Sequence, residues 1–146
     1  MSNSDDTDPT LAYYETNAAR ITADYEAVDL SATLERIVRR LPAAARILEL
    51  GAGSGRDAAL LLGRGFEVTA LDGSEAMAER AASLHPELAG RIRVHRLPVP
   101  LPFADAAFDA VLSLATLMHL HRAAIADVLA ECRRVLRPGG TLALSV

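Results

Sequence analysis

Residues 47–55 constrain the fold of this chain more than any other segment. An apolar run that contains Glu49 leads directly into three alternate glycines, Gly51, Gly53 and Gly55. Because glycine has no Cβ, such a turn lets peptide groups approach a small molecule closely and adopts positive φ at little cost. The pattern predicts a strand that ends in a ligand-binding turn. The alternative is that the glycines only make a tight connection between a strand and a helix.

A carboxylate follows the next apolar segment. Residues 66–71 have the composition of a buried strand, and Asp72 comes directly after them. In nucleotide-binding βαβ units, an acid at the end of the second strand accepts hydrogen bonds from ribose hydroxyls. We therefore favour Asp72 as a ligand of a cofactor that contains ribose, although the same side chain can also cap the helix that follows.

The spacing of the glycines separates this turn from two other nucleotide-binding turns. The dinucleotide fingerprint G-x-G-x-x-G requires glycine at the sixth position counted from Gly51, where this chain has Arg56. The P-loop requires a lysine, and the chain contains none. The turn therefore has the form G-x-G-x-G.

The combined pattern resembles the class I S-adenosylmethionine-dependent methyltransferases. Their first motif has the form acid-x-G-x-G-x-G, which Glu49 and the three glycines match, and their second strand is followed by an acid, as at Asp72. Two later segments are also similar to the family: residues 101–111 to the approach to its fourth strand, and residues 136–141 to the turn into its fifth. The resemblance covers residues 46–146.

The resemblance implies an α/β fold with a doubly wound, Rossmann-like parallel sheet of about five strands and helices on both faces. The alternation of strands and helices agrees with βαβ crossovers, and strands without polar alternation indicate burial on both faces. The expected strands are residues 46–50, 66–71, 91–95, 108–113 and 141–146. The expected helices are residues 55–63, 75–84 after the N-cap Ser74, and 122–136, preceded by two helices within residues 10–41 that break near the candidate N-cap Ser31.

We expect a single domain, residues 1–146, in three parts. These are a disordered tail at residues 1–9, lid helices at residues 10–41 and a Rossmann-like core at residues 46–146. The fold of the family continues beyond its fifth strand with a helix and an antiparallel strand pair, which we expect this chain to lack. The fifth strand would then be an exposed apolar edge, which favours pairing with another chain. This observation motivates the hypothesis of a homodimer.

Charge and composition exclude several classes of protein. A net charge of −4 does not fit the basic face typical of nucleic-acid binders, and the first residues lack the features of a signal peptide. No apolar run reaches the length of a membrane span. The single cysteine, Cys132, lies on the apolar stripe of an expected helix, which indicates an inert core thiol. We expect a cytoplasmic protein that binds a small-molecule substrate and has no nucleic acid, membrane or metal among its partners.

The resemblance also implies which residues contact S-adenosylmethionine. The glycine turn is expected against the methionine moiety, Glu49 near the ammonium group and Asp72 at the ribose. Met77 packs either on the adenine or in the core. Leu97 stands where the family commonly has an acid for the adenine amino group, so adenine recognition depends on backbone groups or on neighbours such as Arg96. The expected contacts are Glu49, Gly51, Ala52, Gly53, Gly55, Asp72, Gly73, Met77, Leu97 and Leu114, with Ala115 beside the last.

The first expected helix is similar to the N-terminal lid helix of small-molecule methyltransferases. Tyr14 and Arg20 are the candidates for contact with the cofactor, Tyr14 through a hydrogen bond and Arg20 through an ion pair with the carboxylate of the cofactor. Ordinary packing of this helix on the sheet is an equal alternative.

Catalytic residues are harder to identify than cofactor ligands. Methyl transfer from a sulfonium is an in-line displacement that depends mainly on positioning, so no metal or nucleophilic side chain is required. The candidates are His119, as a base for a hydroxyl or amine acceptor, and Tyr14. The alternative for His119 is a helix-start histidine whose hydrogen bonds go to the backbone.

The sequence thus predicts an S-adenosylmethionine-dependent methyltransferase that acts on a small molecule it does not identify. A second hypothesis is a non-catalytic module that binds S-adenosylmethionine or S-adenosylhomocysteine, as a partner subunit. The residue at Leu97 and the absent terminal strands motivate this alternative. A nicotinamide-dependent enzyme is a third.

Overall fold

The fold alternates strands and helices after two N-terminal helices. This computed structural model describes residues 8–114 and 116–145. The helices are α1 (Pro9–Ala27), α2 (Ser31–Val38), α3 (Arg56–Gly63), α4 (Glu75–Leu84) and α5 (Arg122–Val135). The strands are β1 (Arg46–Leu50), β2 (Glu67–Asp72), β3 (Ile92–Val94), β4 (Phe108–Ser113) and β5 (Leu136–Leu144), with 3-10 turns at Pro86–Leu88 and Leu117–His119. Ala115, Val146 and residues 1–7 of the expected tail lie outside the described residues.

The described strands form one parallel sheet in the order β3-β2-β1-β4-β5. The central strand β1 pairs with β2 on one side and with β4 on the other. The strand order runs outward from β1 to β3 and then reverses between β1 and β4, which confirms the doubly wound α/β fold. Such a reversal point opens a crevice at the carboxyl ends of the strands.

Apolar side chains on both faces of the sheet pack against helices. Ile47 of β1 lies in a cluster with Leu61 of α3, and the next residue, Leu48, lies in a second cluster with Val128 and Val135 of α5. Alternate residues of one strand therefore point to opposite layers of helix. The nearly continuous burial of β1 and β4 agrees with the prediction made from their composition.

The N-terminal helix begins earlier than expected. The side chain of Asp8 accepts a hydrogen bond from the N–H of Thr10 at 2.9 Å, and Pro9 is the first helical residue. An Asp N-cap followed by Pro is a favourable helix start. The prediction of a disordered tail is therefore wrong at Asp8 and Pro9.

The second helix also differs from its expected limits. Leu30 is the N-cap, and the N–H of Ser31 donates to Oδ1 of Asp29 at 2.9 Å. Ser31 is the first helical residue and not the N-cap, and its N–H is bonded to the Asp29 carboxylate, which precedes the N-cap. The helix ends at Val38, and residues 39–41 form a turn.

Strand β5 starts before the expected position. Leu136 pairs with Phe108, and the register then shifts so that Thr141 pairs with Ala110. The residues between these pairs include Gly139, whose φ is +75°. The prediction placed the start at Thr141 because Pro and Gly indicate a turn, although they also mark irregular strand segments.

Cys132 lies in the core, as its place on the apolar stripe predicts. It is buried in the same cluster as Leu48 and Val128. Burial raises the pKa of the Cys132 thiol to about 11, so the thiol stays protonated near neutral pH.

Glu131 of α5 anchors the segment that precedes β4. Its carboxylate accepts hydrogen bonds from the N–H of Leu101 at 2.7 Å and from the guanidinium of Arg134 at 2.8 Å. These donors, the arginine above all, lower the pKa of Glu131 from 4.5 to about 2. The ionised carboxylate therefore stabilises the fold above pH 4.5, and this contribution is lost as the pH falls towards 2.

Glu131→Gln is expected to lower the free energy of unfolding at neutral pH by about 1 kcal/mol, a typical value for one hydrogen bond. The difference from the wild type should shrink as the pH is lowered from 4.5 to 2, since the wild type loses the same charge. Urea unfolding at several pH values measures this difference. Glu79→Gln, at an exposed position on α4, is the control. A constant difference over the whole pH range would contradict the assignment.

Candidate cofactor site

A cavity of about 700 Å³ opens at the carboxyl ends of β1, β2 and β4, and side chains of α1 also line it. Its volume is within the range of sites that bind small molecules. The sheet explains its position, since the strand order reverses between β1 and β4. The expected residues that line it are Tyr14, Glu49, Gly51, Ala52, Gly53, Asp72, Gly73, Met77, Leu97, Leu114 and His119.

The glycine turn after β1 is fixed by its surroundings. The N–H groups of Gly51 and Ala52 both donate to the carbonyl oxygen of Leu71, at 2.8 and 2.9 Å. Gly51 has φ +73°, and a Cβ added to it would lie 2.0 Å from Oγ1 of Thr116. Both the backbone conformation and the close approach of Thr116 therefore require glycine at this position.

The third glycine of the motif has a different role from the one expected. Gly55 does not line the cavity. Gly55 is the N-cap of α3 and has φ +80°, and an added Cβ would lie 2.7 Å from Leu88 and 3.0 Å from Ala81. The expectation of a cofactor contact at Gly55 is therefore corrected: this glycine allows close packing of α3.

Asp72 holds the two loops of the site together. One carboxylate oxygen accepts the N–H of Gly53 and the other the N–H of Ser74, each at 2.9 Å. The helix cap itself is Ser74, whose hydroxyl accepts the N–H of Met77. Burial raises the pKa of Asp72. Each carboxylate oxygen has a second lone pair, so the side chain can still accept a hydrogen bond from a hydroxyl group of a ligand in the cavity.

Glu49 is a buried carboxyl group that faces the cavity without a full set of partners. It is 3% exposed, and its Oε2 has no hydrogen-bond partner among the described residues. Burial, together with the nearby carboxylates of Asp57 and Asp72, raises the pKa of Glu49 well above its ordinary value. An unpaired buried carboxyl group is costly. The arrangement therefore fits a ligand that brings a cation or a hydrogen-bond donor to this point.

Arg20 does not reach the cavity. Its guanidinium donates to the hydroxyl of Tyr13 at 2.6 Å and pairs with Asp24 at 3.4 Å on the exposed side of α1. Tyr14 lines the cavity, and a residue six positions further on points about 120° away from it on a helix. The expectation that Arg20 contacts the cofactor is therefore corrected.

Arg56 is a cation in the cavity wall that the sequence argument did not assign to the site. Its guanidinium donates to the carbonyl oxygens of Tyr25 and Val28 at the end of α1, and its Nε lies 2.9 Å from Oδ1 of Asp57. The sequence did contain an indication of this position, because Arg56 directly follows the glycine motif at the start of α3. Its contacts with α1 depend on tertiary packing.

Two other wall residues were also missed. Tyr25 lies eleven positions, about three helical turns, after Tyr14 and so shares its face of α1. Thr116 follows β4, and its hydroxyl lies 3.2 Å from the carbonyl oxygen of Leu50. The helical spacing of the tyrosines could have indicated Tyr25, whereas no local pattern marks Thr116.

Residues 95–97 form the part of the cavity wall near Gly73. Leu97 lines the cavity there and packs in the core, and His95 and Arg96 precede it in the same wall. Met77 is buried in the contact of α1 with α4 and also lines the cavity. A place in the core is therefore compatible with a contact to the adenine.

Two other kinds of site are absent from the part of the chain that the structure describes. In residues 8–114 and 116–145, no three His, Cys, Asp or Glu side chains are grouped as metal ligands. None of the helices in this part of the chain is long and apolar enough to span a membrane.

Comparison with known proteins places the chain in a family. The sequence profile of a methyltransferase domain matches residues 48–144. The malonyl-[acyl-carrier protein] O-methyltransferase of Methylococcus capsulatus is 39% identical over 106 residues, which are 71% of this chain and 38% of that protein. The demethylmenaquinone methyltransferase of Beutenbergia cavernae is 37% identical over 100 residues, 68% of this chain and 40% of that protein.

A solved methyltransferase structure is also similar to this chain. The TehB-like S-adenosylmethionine-dependent methyltransferase of Corynebacterium glutamicum superposes with a TM-score of 0.73 at 26% identity, over 90% of this chain and 72% of that one. The chain spans about two fifths of the length of the two sequence relatives. From its profile match, fold and glycine turn, the chain belongs to the methyltransferase domain family, in the class I S-adenosylmethionine-dependent group.

Proposed function

We propose that the chain binds S-adenosylmethionine in the 700 Å³ cavity and transfers its methyl group to a small molecule. The observation that carries the proposal is the buried Glu49, whose Oε2 has no partner among the described residues, beside the glycine turn. The ammonium group of the cofactor would supply the missing donor and the opposite charge. When bound, the cofactor supplies an electrophilic methyl group on a sulfonium, and the protein contributes position and environment.

The walls of the cavity suggest how the parts of the cofactor are held. The backbone of Gly51 and Gly53 would lie against the methionine moiety, and the carboxylate of Asp72 would accept the ribose hydroxyls. Gly73, Met77 and Leu97 would border the adenine, with Leu114 near the transferred group. Helix α1 would act as a lid, because its residues Tyr14 and Tyr25 line the cavity.

The acceptor is a small molecule in this proposal. Relatives that match two thirds of this chain are named for different acceptors, malonyl-[acyl-carrier protein] and demethylmenaquinone. The shared domain therefore supports the cofactor more closely than it supports any one acceptor. A cytoplasmic location stays a prediction.

Calorimetric titration tests the proposed cofactor. S-adenosylmethionine and S-adenosylhomocysteine should bind at micromolar concentration and NAD should not. Absence of binding by a folded sample would contradict the proposal, and saturation by NAD alone would support a nicotinamide enzyme. Binding without turnover over a broad panel of acceptors would favour the non-catalytic module.

Asp72→Ala should weaken S-adenosylhomocysteine binding by about 1 to 3 kcal/mol, because it removes hydrogen bonds to a charged acceptor. Part of this loss would come from the loop contacts of Asp72 with Gly53 and Ser74. The 2′-deoxy form of the ligand separates the two effects by calorimetry. The variant should discriminate less than the wild type between the ribose and deoxyribose ligands, and equal discrimination would reject the ribose contact.

The proposal includes a homodimer through the edge of the sheet. In the described sheet, β5 pairs with β4 alone, and Leu142 and Leu144 on it are 39% and 37% exposed. Exposed apolar edges favour strand pairing between chains. Light scattering at tens of micromolar protein measures the oligomeric state, and a clean monomer would reject the dimer.

A further inference from the structure

We infer that Tyr14, Tyr25 and His119 form the acceptor end of the cavity, where His119 takes the proton of a phenol- or enol-type hydroxyl. This inference rests on the proposed function and deepens it, since it names the class of acceptor. His119 would be the catalytic base, and Tyr14 a positioning residue that acts through His119.

The three side chains form a hydrogen-bonded cluster. Oη of Tyr14 lies 3.2 Å from Nε2 of His119 and 3.2 Å from Oη of Tyr25. The rings of Tyr14 and His119 also meet edge to face, with centroids 5.8 Å apart. All three residues line the cavity, and His119 remains exposed to solvent. The cluster is therefore accessible to a second molecule beside the cofactor.

The cluster lies against the glycine turn from two sides. The N–H of His119 donates to the carbonyl oxygen of Thr116 at 3.1 Å, and Thr116 in turn lies directly against Gly51. On the other side, the ring of Tyr25 lies 3.0 Å from the position of a Cβ on Gly53. An acceptor held by this cluster would be next to the part of the site that holds the methionine moiety.

The hydrogen bonds are compatible with His119 as a proton acceptor, since either tyrosine hydroxyl can be the donor and the imidazole can donate or accept. Burial and the hydrogen bond with Tyr25 raise the pKa of Tyr14, so its phenol stays protonated. Tyr14 can then donate to Oη of Tyr25 and accept the Nε2–H of His119. This leaves Nδ1 of His119 as a lone-pair acceptor, and Nδ1 has no hydrogen-bond partner among the described residues. A base oriented by a third group is a common catalytic arrangement.

The proton step is balanced at His119. The O–H bond of the acceptor breaks, an N–H bond forms at Nδ1, and the electron pair stays on the oxygen that receives the methyl group. In that transfer the bond between the methyl carbon and sulfur would break, and its electron pair would stay on sulfur as S-adenosylhomocysteine leaves. The imidazolium later returns the proton to water. No other co-reactant is needed.

The surroundings favour a neutral hydroxyl over a carboxylate. Among the described residues, no arginine hydrogen-bonds the hydroxyl of Tyr14, the hydroxyl of Tyr25 or the imidazole. The guanidinium of Arg56 in the same cavity wall already donates to the carbonyl oxygens of Tyr25 and Val28 and pairs with Asp57. Leu114 and Leu120 add apolar wall to the cavity. A histidine base acts best on a hydroxyl whose acidity is near its own, which favours phenols and enols over simple alcohols.

The experiment uses p-nitrophenol, because its phenolate absorbs visible light and its phenol does not. The protein is first saturated with S-adenosylhomocysteine, and p-nitrophenol is then titrated while the phenolate band is recorded at several pH values. Calorimetry with S-adenosylhomocysteine alone is run on every variant. Failure of that first binding step would reject the proposed cofactor site, whereas the phenolate signal tests the acceptor site.

The wild type should bind p-nitrophenol and ionise it at lower pH than the free compound. His119→Ala should remove this extra phenolate and weaken p-nitrophenol binding about tenfold to a hundredfold, as expected for a lost hydrogen bond to a charged group. Tyr14→Phe should keep binding but reduce the extra phenolate. His121 is two positions after His119 but does not line the cavity. His121→Ala should therefore match the wild type in p-nitrophenol binding and in the phenolate signal. His121→Ala should bind S-adenosylhomocysteine as the wild type does, and the p-nitrophenol titrations of His119→Ala and Tyr14→Phe are carried out at saturating S-adenosylhomocysteine.

Two results would overturn the inference. One is an unchanged phenolate signal in His119→Ala. The other is no binding of p-nitrophenol to the S-adenosylhomocysteine complex of the wild type, which would reject the phenol class of acceptor.

Discussion

Gly51→Ala is expected to lower the affinity for S-adenosylhomocysteine by about a hundredfold, which corresponds to about 3 kcal/mol. The added methyl group would lie 2.0 Å from Oγ1 of Thr116, in a backbone conformation at φ +73° that alanine adopts only under strain. Holding the turn in its native conformation would cost about 1 to 2 kcal/mol for the left-handed backbone and about 1 to 3 kcal/mol more for overpacking. The ligand affinity falls because binding has to supply this cost. Thr116 would have to move, and the turn that precedes His119 would move with it.

Calorimetry measures the affinity, and urea unfolding shows whether the variant still folds. The control is Gly63→Ala at the end of α3, because a Cβ there meets nothing within 4 Å and the backbone is not left-handed. A second variant separates the steric effect from the backbone strain. Thr116→Ala in the Gly51→Ala background removes the closest atom and should recover part of the affinity. An affinity of Gly51→Ala within twofold of the wild type would contradict the argument.

The core of the fold was predictable because its signals are local. Apolar runs broken by glycine and acidic residues locate β1 and β2, and the remaining strands and helices of the core follow the same alternation. The predicted acids and the first two glycines lie in one cavity because parallel strands bring their carboxyl ends to one edge. These positions also depend on the strand order, which the βαβ rule limits to a few topologies and which the resemblance to the methyltransferases implied.

The residues near α1 were predicted wrongly or missed because their positions depend on how this helix packs. Arg20 was expected in the site from its place in the helix, but rotation along the helix puts it on the exposed side. Tyr25 and Arg56 belong to the site because the end of α1 lies on the start of α3, a contact between distant parts of the chain. No pattern within either segment specifies that contact. Gly55 was misassigned because glycine is required equally by a ligand and by close packing.

Glu49→Gln is expected to weaken S-adenosylmethionine binding while stabilising the ligand-free protein. Loss of a charge-assisted hydrogen bond to the ammonium group should reduce the affinity by about 1.5 to 3 kcal/mol, about tenfold to a hundredfold. The opposite effect on stability follows from the raised pKa of Glu49, which burial and the neighbouring Asp57 and Asp72 cause. Gln has the same shape and no charge to bury, so its melting temperature should exceed that of the wild type near neutral pH.

The sign of the pH dependence distinguishes this carboxyl group from an ordinary one. A carboxyl group with a raised pKa in the folded state contributes stability in its protonated form at low pH, and that stability is lost as the pH rises through the folded-state pKa. The melting temperatures of wild type and Glu49→Gln should therefore diverge as the pH rises above 4.5, because the folded-state pKa of Glu49 lies above that value. Glu67→Gln, at an exposed position on β2, should show no such divergence.

Ligand binding should shift Glu49 from its protonated form to its ionised form. A bound ammonium group favours the carboxylate, so binding lowers the pKa of Glu49 and releases a proton over the pH range in which the free protein holds it. The affinity of the wild type should then rise with pH, and that of Glu49→Gln should rise less, with the remainder due to Asp72, whose pKa is also raised. Calorimetry in buffers of different ionisation enthalpy measures the released proton. A variant that binds as tightly as the wild type would mean that Glu49 is a purely structural acid, and its buried, unpartnered oxygen would then need another explanation.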